Sequence, residues 1–426
     1  MILDRTVAPP VQPLARVTLP AANVLSLPNG ARLHVLRNDA QPVVRLQVVF
    51  PAGKWYDPSA GVSLLAARLL LEGTVTRTAR QIADEVAFFG ASLECEQGFD
   101  RSTLTLYCLS RHLPQLLPLV QDVLTAPIFP ETELALVKTR TIQNVRVERQ
   151  KTSYLASESF SRHLFGPGYP YGVTFDEAIF QDITSDQVRS FYQQHYNFAQ
   201  AEIFLCGDVT NEHVTLLTEQ LGAPAGALVK ATAAVPPPSI LAPRDYVTVD
   251  GSLQASLRIG RRWPALSHPQ THALQVLVKV LGGYFGSRLM KNIREDKGFT
   301  YGIYASVHPR EHSTSFFIGS DVNASNAPAA IEEIQKELRR LQEEQIPLTE
   351  LQTVKNYMSG KFANELSTVF EQCDKYKNLI FYDLPTSYYS DFVAQVQATD
   401  AVTLQELAQE YLSPDNMIEV VSGPKQ

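Results

Sequence analysis

A single interruption divides this chain into two halves that carry the same order of elements. Residues 223–244 read APAGALVKATAAVPPPSILAPR. The stretch is rich in Ala and Pro, has neither helical nor strand periodicity, and reads as a linker. Before it, alternating runs at 31–36 and 43–50 predict strands. Helical patterns follow at 61–71 and 79–89, then strands at 92–96 and 102–108, then helices over 113–124 and from 131 into the 140s. After it, strands are expected at 245–249 and 254–260, a helix at 271–281, and strands at 301–307 and 315–320. A helix over 328–344 places Ile331, Ile334, Leu338 and Leu341 on one face. The two halves also end alike, with ITSDQVRSFYQQHYNFAQAEIFLCGD from 183 and TLQELAQEYLSPDNMIEVVSG from 403. Each is a short helix with a Tyr near its end, a turn, and an apolar strand closing on Gly. Strand runs followed by helix runs imply α+β layers rather than strict alternation. The expected fold is therefore a tandem repeat of two similar α+β domains, each an antiparallel-rich sheet with helices on one face. The boundaries read as an extended arm over 1–22, a first domain over 23–222, the linker over 223–244 and a second domain over 245–426.

Composition narrows the function classes. With 37 Lys+Arg against 44 Asp+Glu and no dominant basic block, nucleic acid is not the expected partner. No run of 18 apolar residues occurs, so no membrane span is expected. Four scattered cysteines, Cys95, Cys108, Cys206 and Cys373, suit neither a disulfide scaffold nor a thiolate zinc site. Pro9, Pro10, Pro13 and Pro20 break the first residues into an extended arm, unlike a secretory leader. A cytoplasmic protein with reduced thiols is the expectation.

The most informative stretch is LGGYFGSRLMKNIREDKGFTYGIYASV, from Leu281 to Val307. A turn with Gly282, Gly283 and Gly286 leads into a short basic-acidic helix, Gly298 breaks it, and a strand opens near Tyr301. No Lys-Ser or Lys-Thr follows the glycines, so they read as tight turns rather than a phosphate cradle.

This stretch resembles, nearly position by position, the L-G-G-G-F-S-S-R-L-x-x-x-L-R-E-x-x-G-L-x-Y pattern of the pitrilysin/insulinase zinc peptidases. GTVTRTARQIADEVAFFGASLE from 73, LFGPGYPYGVTFDEAIFQDITSDQVRSFY from 164, PLTELQTVKNYMSGKF from 347 and both block ends agree with the family as well. The resemblance runs from about residue 24 to 423, and its most specific part is the Arg-x6-Tyr spacing of Arg294 and Tyr301. It implies half of a clamshell, because members pack four such domains around a chamber.

The family's H-x-x-E-H motif puts two His on one helical face to bind zinc, with the intervening Glu as general base. Here the matching stretch is GVSLLAARLLLEGT, and the alignment sets Leu64 and Arg68 at the His positions and Ala67 at the Glu. None of these groups can do that work, so no metal is expected in this chain. Glu148 falls about where a third ligand would stand and reads as a helix-surface carboxylate. A literal H-x-x-E-H does occur at His308, Glu311 and His312, but Pro309 prevents a helix there and a solvated hairpin loop is expected. His268 and His272 read as the capped start of the following helix.

Some bacterial members split the four domains between two chains, one with the zinc motif and one with the Arg/Tyr pair. The resemblance implies the second kind. Tyr301 is then the oxyanion donor and Arg294 the positioner of a substrate carbonyl, both acting in trans on a homologous subunit that holds the zinc. The expected partners are that subunit and a peptide, with a homodimer when the chain is alone. The strand at 92–96 resembles the family edge strand that pairs with extended substrate. Two other readings stand beside this one: a non-catalytic structural or peptide-binding homologue, and a self-sufficient hydrolase using His308 and His312.

Overall fold

The computed structural model describes residues 19–223 and 241–425, with residues 6 and 238. Most of the expected arm and linker therefore lie outside the described residues. The strands are β1 (Asn23–Ser26), β2 (Arg32–Arg37), β3 (Val43–Phe50), β4 (Ser92–Gln97), β5 (Ser102–Leu109) and β6 (Glu202–Gly207), then β7 (Arg244–Thr248), β8 (Gln254–Trp263), β9 (Thr300–His308), β10 (Thr314–Asn323) and β11 (Ile418–Gly423). The first half carries helices α1 (Val62–Leu69), α2 (Ala79–Phe88), α3 (Leu113–Thr125), α4 (Glu131–Glu148), α5 (Thr152–Phe165), α6 (Glu177–Asp182), α7 (Ser185–His195) and α8 (Asn211–Gly222). The second carries α9 (Thr271–Gly282), α10 (Ala327–Glu343), α11 (Leu348–Asn364), α12 (Val369–Phe381), α13 (Phe392–Ala398) and α14 (Ala401–Tyr411).

The repeat is built into the sheets. One sheet runs β1-β2-β6-β3-β5-β4 and the other β7-β11-β8-β10-β9. Apart from β1, the orders superimpose term by term. The one parallel pair of each sheet also corresponds, β2 with β6 and β7 with β11. The fold is thus two α+β domains in tandem, antiparallel except at that pair.

Period-two alternation decides what each face buries. Leu33 and Val35, Val44, Leu46 and Val48, and Ile203 and Leu205 point to one face, where α1, α3, α7 and α8 close a core. The other face takes a helix from the second domain: Leu36, Val49, Phe204 and Cys206 pack against Val369 and Cys373 of α12. Arg45, on that face, forms a forked pair with Asp374 at 2.9 and 3.1 Å. The second sheet receives the matching helix of the first domain, with Ala156, Phe160 and Leu164 of α5 against Ile418 and Val420. Arg258 reaches Ser157 Oγ at 3.1 Å from the same face. Helices α5 and α12 hold equivalent places in the repeat, so the domains exchange one helix each.

The β4–β5 and β9–β10 hairpin loops meet at this seam, which corrects the expectation of a solvated loop at 308–312. Glu311 accepts two hydrogen bonds from Arg101, at 2.5 and 2.9 Å, and its backbone N–H donates to Asp100 at 3.1 Å. The Arg310 guanidinium lies 3.5 Å from the Phe99 ring centre, and Arg101 sits 4.2 Å from that of Phe381. His312 stacks on Trp55 with ring centres 3.7 Å apart. Glu311 is taken out of water with Arg101 as its partner, the condition under which such burial is tolerated. The half-buried Arg310, by contrast, is surrounded by aromatic rings, and its Nη1 has no hydrogen-bond partner among the described residues. Among the described residues, no helix is long and apolar enough to cross a membrane.

Candidate functional site

Two equivalent corners of the repeat carry the candidate residues: α1 beside the edge strand β4, and α9 beside the edge strand β9. In the first, the two Asp57 carboxylate oxygens accept the Gly61 and Ser63 N–H groups at 3.1 and 2.6 Å and start α1. Burial raises the Asp57 pKa, against the pull of those same hydrogen bonds. Ser63 is tied to β4 through Gln97 at 2.5 Å, so helix and edge strand are fixed to each other.

The zinc-motif positions on this helix are filled by packing groups. Leu64 lies half-buried against the core, and Ala67 is buried. Arg68 donates to Thr141 Oγ1 of α4 at 2.7 Å. Burial first, and then the neighbouring Arg140, lower its pKa. These residues do not fit a zinc ion: a hydrocarbon, a methyl group and a cation offer no donor pair. Glu148 ends α4 and pairs with Lys151 at 2.6 Å, two helical turns beyond Thr141. It does not join Leu64 and Arg68. Among the described residues, strand β4 is paired only with β5, which leaves its other backbone edge open.

The second corner is held more rigidly and leaves its functional groups outside. Gly282 ends α9 where a Cβ would stand 2.6 Å from the Ala305 nitrogen, so only glycine lets the helix meet β9 this closely. The chain then forms a π-helical segment at Met290–Asp296. Leu289 and Ile293 are fully buried, Arg288 is clamped by both Glu350 oxygens at 2.9 and 3.0 Å, and Asn292 donates to Glu337 at 2.9 Å. With Leu289, Asn292 and Ile293 turned inward, Arg294 is left half-buried, its guanidinium 4.8 Å from the Phe285 ring centre. Gly298, with φ of +65°, turns the chain into β9. Thr300 fixes the strand start through a 2.7 Å bond to the Asp321 carbonyl, and the next residue, Tyr301, is 95% exposed. No hydrogen bond joins Arg294 to Tyr301 among the described residues. The structure sets both on one corner of the second domain, at the end of the π-helical segment and the start of the edge strand.

The histidine candidates are separate. His308 bonds Ser306 Oγ at 2.7 Å and stacks on Phe317, whereas His312 stacks on Trp55. Glu311, between them in sequence, is engaged by Arg101. His268 Nδ1 accepts from the Gln270 N–H at 3.2 Å, while His272 is buried against Tyr388 and Phe392. Burial drives the His272 pKa down to about 4. Among the described residues, no group of three or more His, Cys, Asp or Glu is placed to hold a metal. Phe285, 61% exposed beneath Arg294, was not singled out from the sequence. Its signal was an aromatic between two turn glycines, where no core position is available.

The fold, the emptied motif and the exposed corner agree with what is found among known proteins. The family described as Insulinase (Peptidase family M16) matches residues 33–168, and the one described as Peptidase M16 inactive domain matches residues 182–358. The uncharacterized zinc protease YmxG of Bacillus subtilis is 24% identical over 345 residues, 80% of this chain and 83% of the relative. The non-peptidase homolog YmxG of Helicobacter pylori is 22% identical, covering 79% and 78%. A crystal structure of the peptidase M16 inactive domain from Pseudomonas fluorescens is 25% identical, with a TM-score of 0.87 over 95% of this chain and 98% of that one. The chain belongs to the insulinase family, peptidase family M16. Its second half is the part matched by the model described as the family's inactive domain.

Proposed function

We propose that this chain is the non-zinc-binding subunit of a two-chain M16 peptidase and lends Arg294 and Tyr301 to a partner's metal site. The observation that carries the reading is the contrast between the corners. The motif on α1 is filled with Leu64, Ala67 and Arg68, yet Arg294 and Tyr301 keep the family spacing, Arg294 half-buried over Phe285 and Tyr301 exposed. Tyr301 contributes nothing to its own fold at 95% exposure. A hydroxyl presented on a pinned strand can donate to an oxyanion formed on a peptide carbonyl, and Arg294 can hold a neighbouring carbonyl. The metal, and the base that works with it, belong to the homologous partner. The open edges of β4 and β9 suit an extended peptide, since backbone pairing reads shape with little sequence preference. A cytoplasmic location fits four cysteines that all stand as thiols.

A fluorogenic peptide tests the reading. The isolated chain should not cut it, and a mixture with an H-x-x-E-H homologue encoded nearby should. Stable pairing without cleavage would replace the proposal with that of a structural or peptide-binding homologue, a reading favoured by the non-peptidase relative.

A further inference from the structure

A cleft of about 500 Å³ opens in the second domain between α9, α11, α13 and β9, and the reading above uses the open edge of β9 but none of its other walls. Three features of its walls converge. Its apolar side is aromatic, formed by Phe362, Tyr388, Tyr389 and Phe392. Its polar side has more cations than anions: Lys279, Lys361 and Lys375 share a single carboxylate, Glu365. Lys375 Nζ lies 2.6 Å and Lys361 Nζ 3.7 Å from that carboxylate, and Lys279 is left to donate to the Gly283 carbonyl at 3.2 Å. Burial and then the adjacent Lys361 hold Lys279 below the usual lysine range, with Glu365 opposing them. The third wall is Tyr304 to Val307 of β9, which among the described residues pairs with β10 alone. Half of its backbone N–H and C=O groups thus face away from the sheet.

We propose that this cleft binds the C-terminal end of an extended peptide. The peptide backbone adds to the free edge of β9, an apolar side chain enters among the aromatic rings, and the terminal carboxylate meets Lys279, Lys361 and Lys375. The edge strand and aromatic wall select a peptide over a free anion, which would use the ammonium groups alone. The volume is that of a ligand pocket and admits a few residues. The inference goes beyond the trans-catalysis reading and needs no zinc-bearing partner, so either can fail without the other.

The test uses the full chain alone and fluorescence anisotropy with two dye-labelled pentapeptides ending in Val-Thr-Leu, one a free acid and the other an amide. The acid should bind at least tenfold more tightly. The double substitution Lys361→Ala and Lys375→Ala should abolish that preference with the melting temperature unchanged within a few degrees. Lys361→Gln, on an outward helical position, should reduce it severalfold and guards against a folding defect in the double variant. Equal binding of acid and amide would overturn the proposal, as would no binding of either at millimolar concentration or a preference that survives the substitutions. Inorganic phosphate binding with the same lysine dependence, without competition from the peptide acid, would make this a small-anion site and also overturn it.

Discussion

The two corners of the repeat share a scaffold and differ in how their candidate side chains are spent. In the first domain the motif residues of α1 are drawn into packing: Ala67 is buried, Leu64 half-buried, and Arg68 is bonded to Thr141. In the second, Arg288 and Asn292 are clamped and Leu289 and Ile293 are buried, while Arg294 lies half-buried over Phe285 and Tyr301 stands in solvent. A site converted to structure loses its unpaired groups. A site kept for chemistry keeps them and fixes the backbone beneath. The contrast teaches that loss of a zinc motif and retention of an Arg/Tyr pair can be parts of one division of labour between chains.

The sharpest way to break the comparison below the level of catalysis is the seam between the domains. Glu311→Ala removes the carboxylate shared by Arg101 and leaves a half-buried guanidinium unpaired. It should lower unfolding free energy by about 2–4 kcal/mol, measured by urea titration. A loss near zero would return the 308–312 loop to a solvated role.

Acid should act mainly through His272, which lies in the second domain. Its unfolded-state value of 6.5 exceeds its folded value of about 4, so the unfolded chain binds the proton first. The stability it protects is full above pH 6.5 and is lost as pH falls toward 4. Between pH 7 and 5 the chain should lose about 2 kcal/mol from this group. His272→Asn should flatten that part of the profile in urea titrations at the two pH values. An unchanged slope would show that His272 is not held neutral.

At the converted corner the effects should be small. Arg68→Ala removes one hydrogen bond from a mostly exposed side chain and should cost about 1 kcal/mol or less by thermal melting. A larger loss would mean that Arg68 is a structural keystone rather than a replaced ligand.

Much of this organisation was legible in the sequence, for identifiable reasons. Strand alternation at 43–50 and the matching block ends depend on local periodicity, and β3, α10 and both closing strands stand where that periodicity put them. The exchange of α5 and α12 was not legible. The run TSYLASESFSRHLF carries only Ala156, Phe160, Leu164 and Phe165 as its buried face, and their contact lies in the other domain's sheet. The engagement of 309–311 across the seam was hidden for a different reason. PRE is polar, and what buries it is ion pairing to Arg101 and stacking on Phe99, partners about 210 residues away in the chain. At the site, the substitutions at Leu64, Ala67 and Arg68 could be read directly. That Arg294 rests on Phe285 and that Tyr301 stands free required the π-helical turn and the sheet edge.

The central claim is that Tyr301 serves another chain's reaction. The most direct measurement compares the native chain with Tyr301→Phe, each assembled with a zinc-motif-bearing partner, for hydrolysis of one fluorogenic peptide. The account predicts that complex formation is preserved and that kcat falls by about 100- to 1000-fold. An unchanged kcat in a fully assembled pair would contradict it.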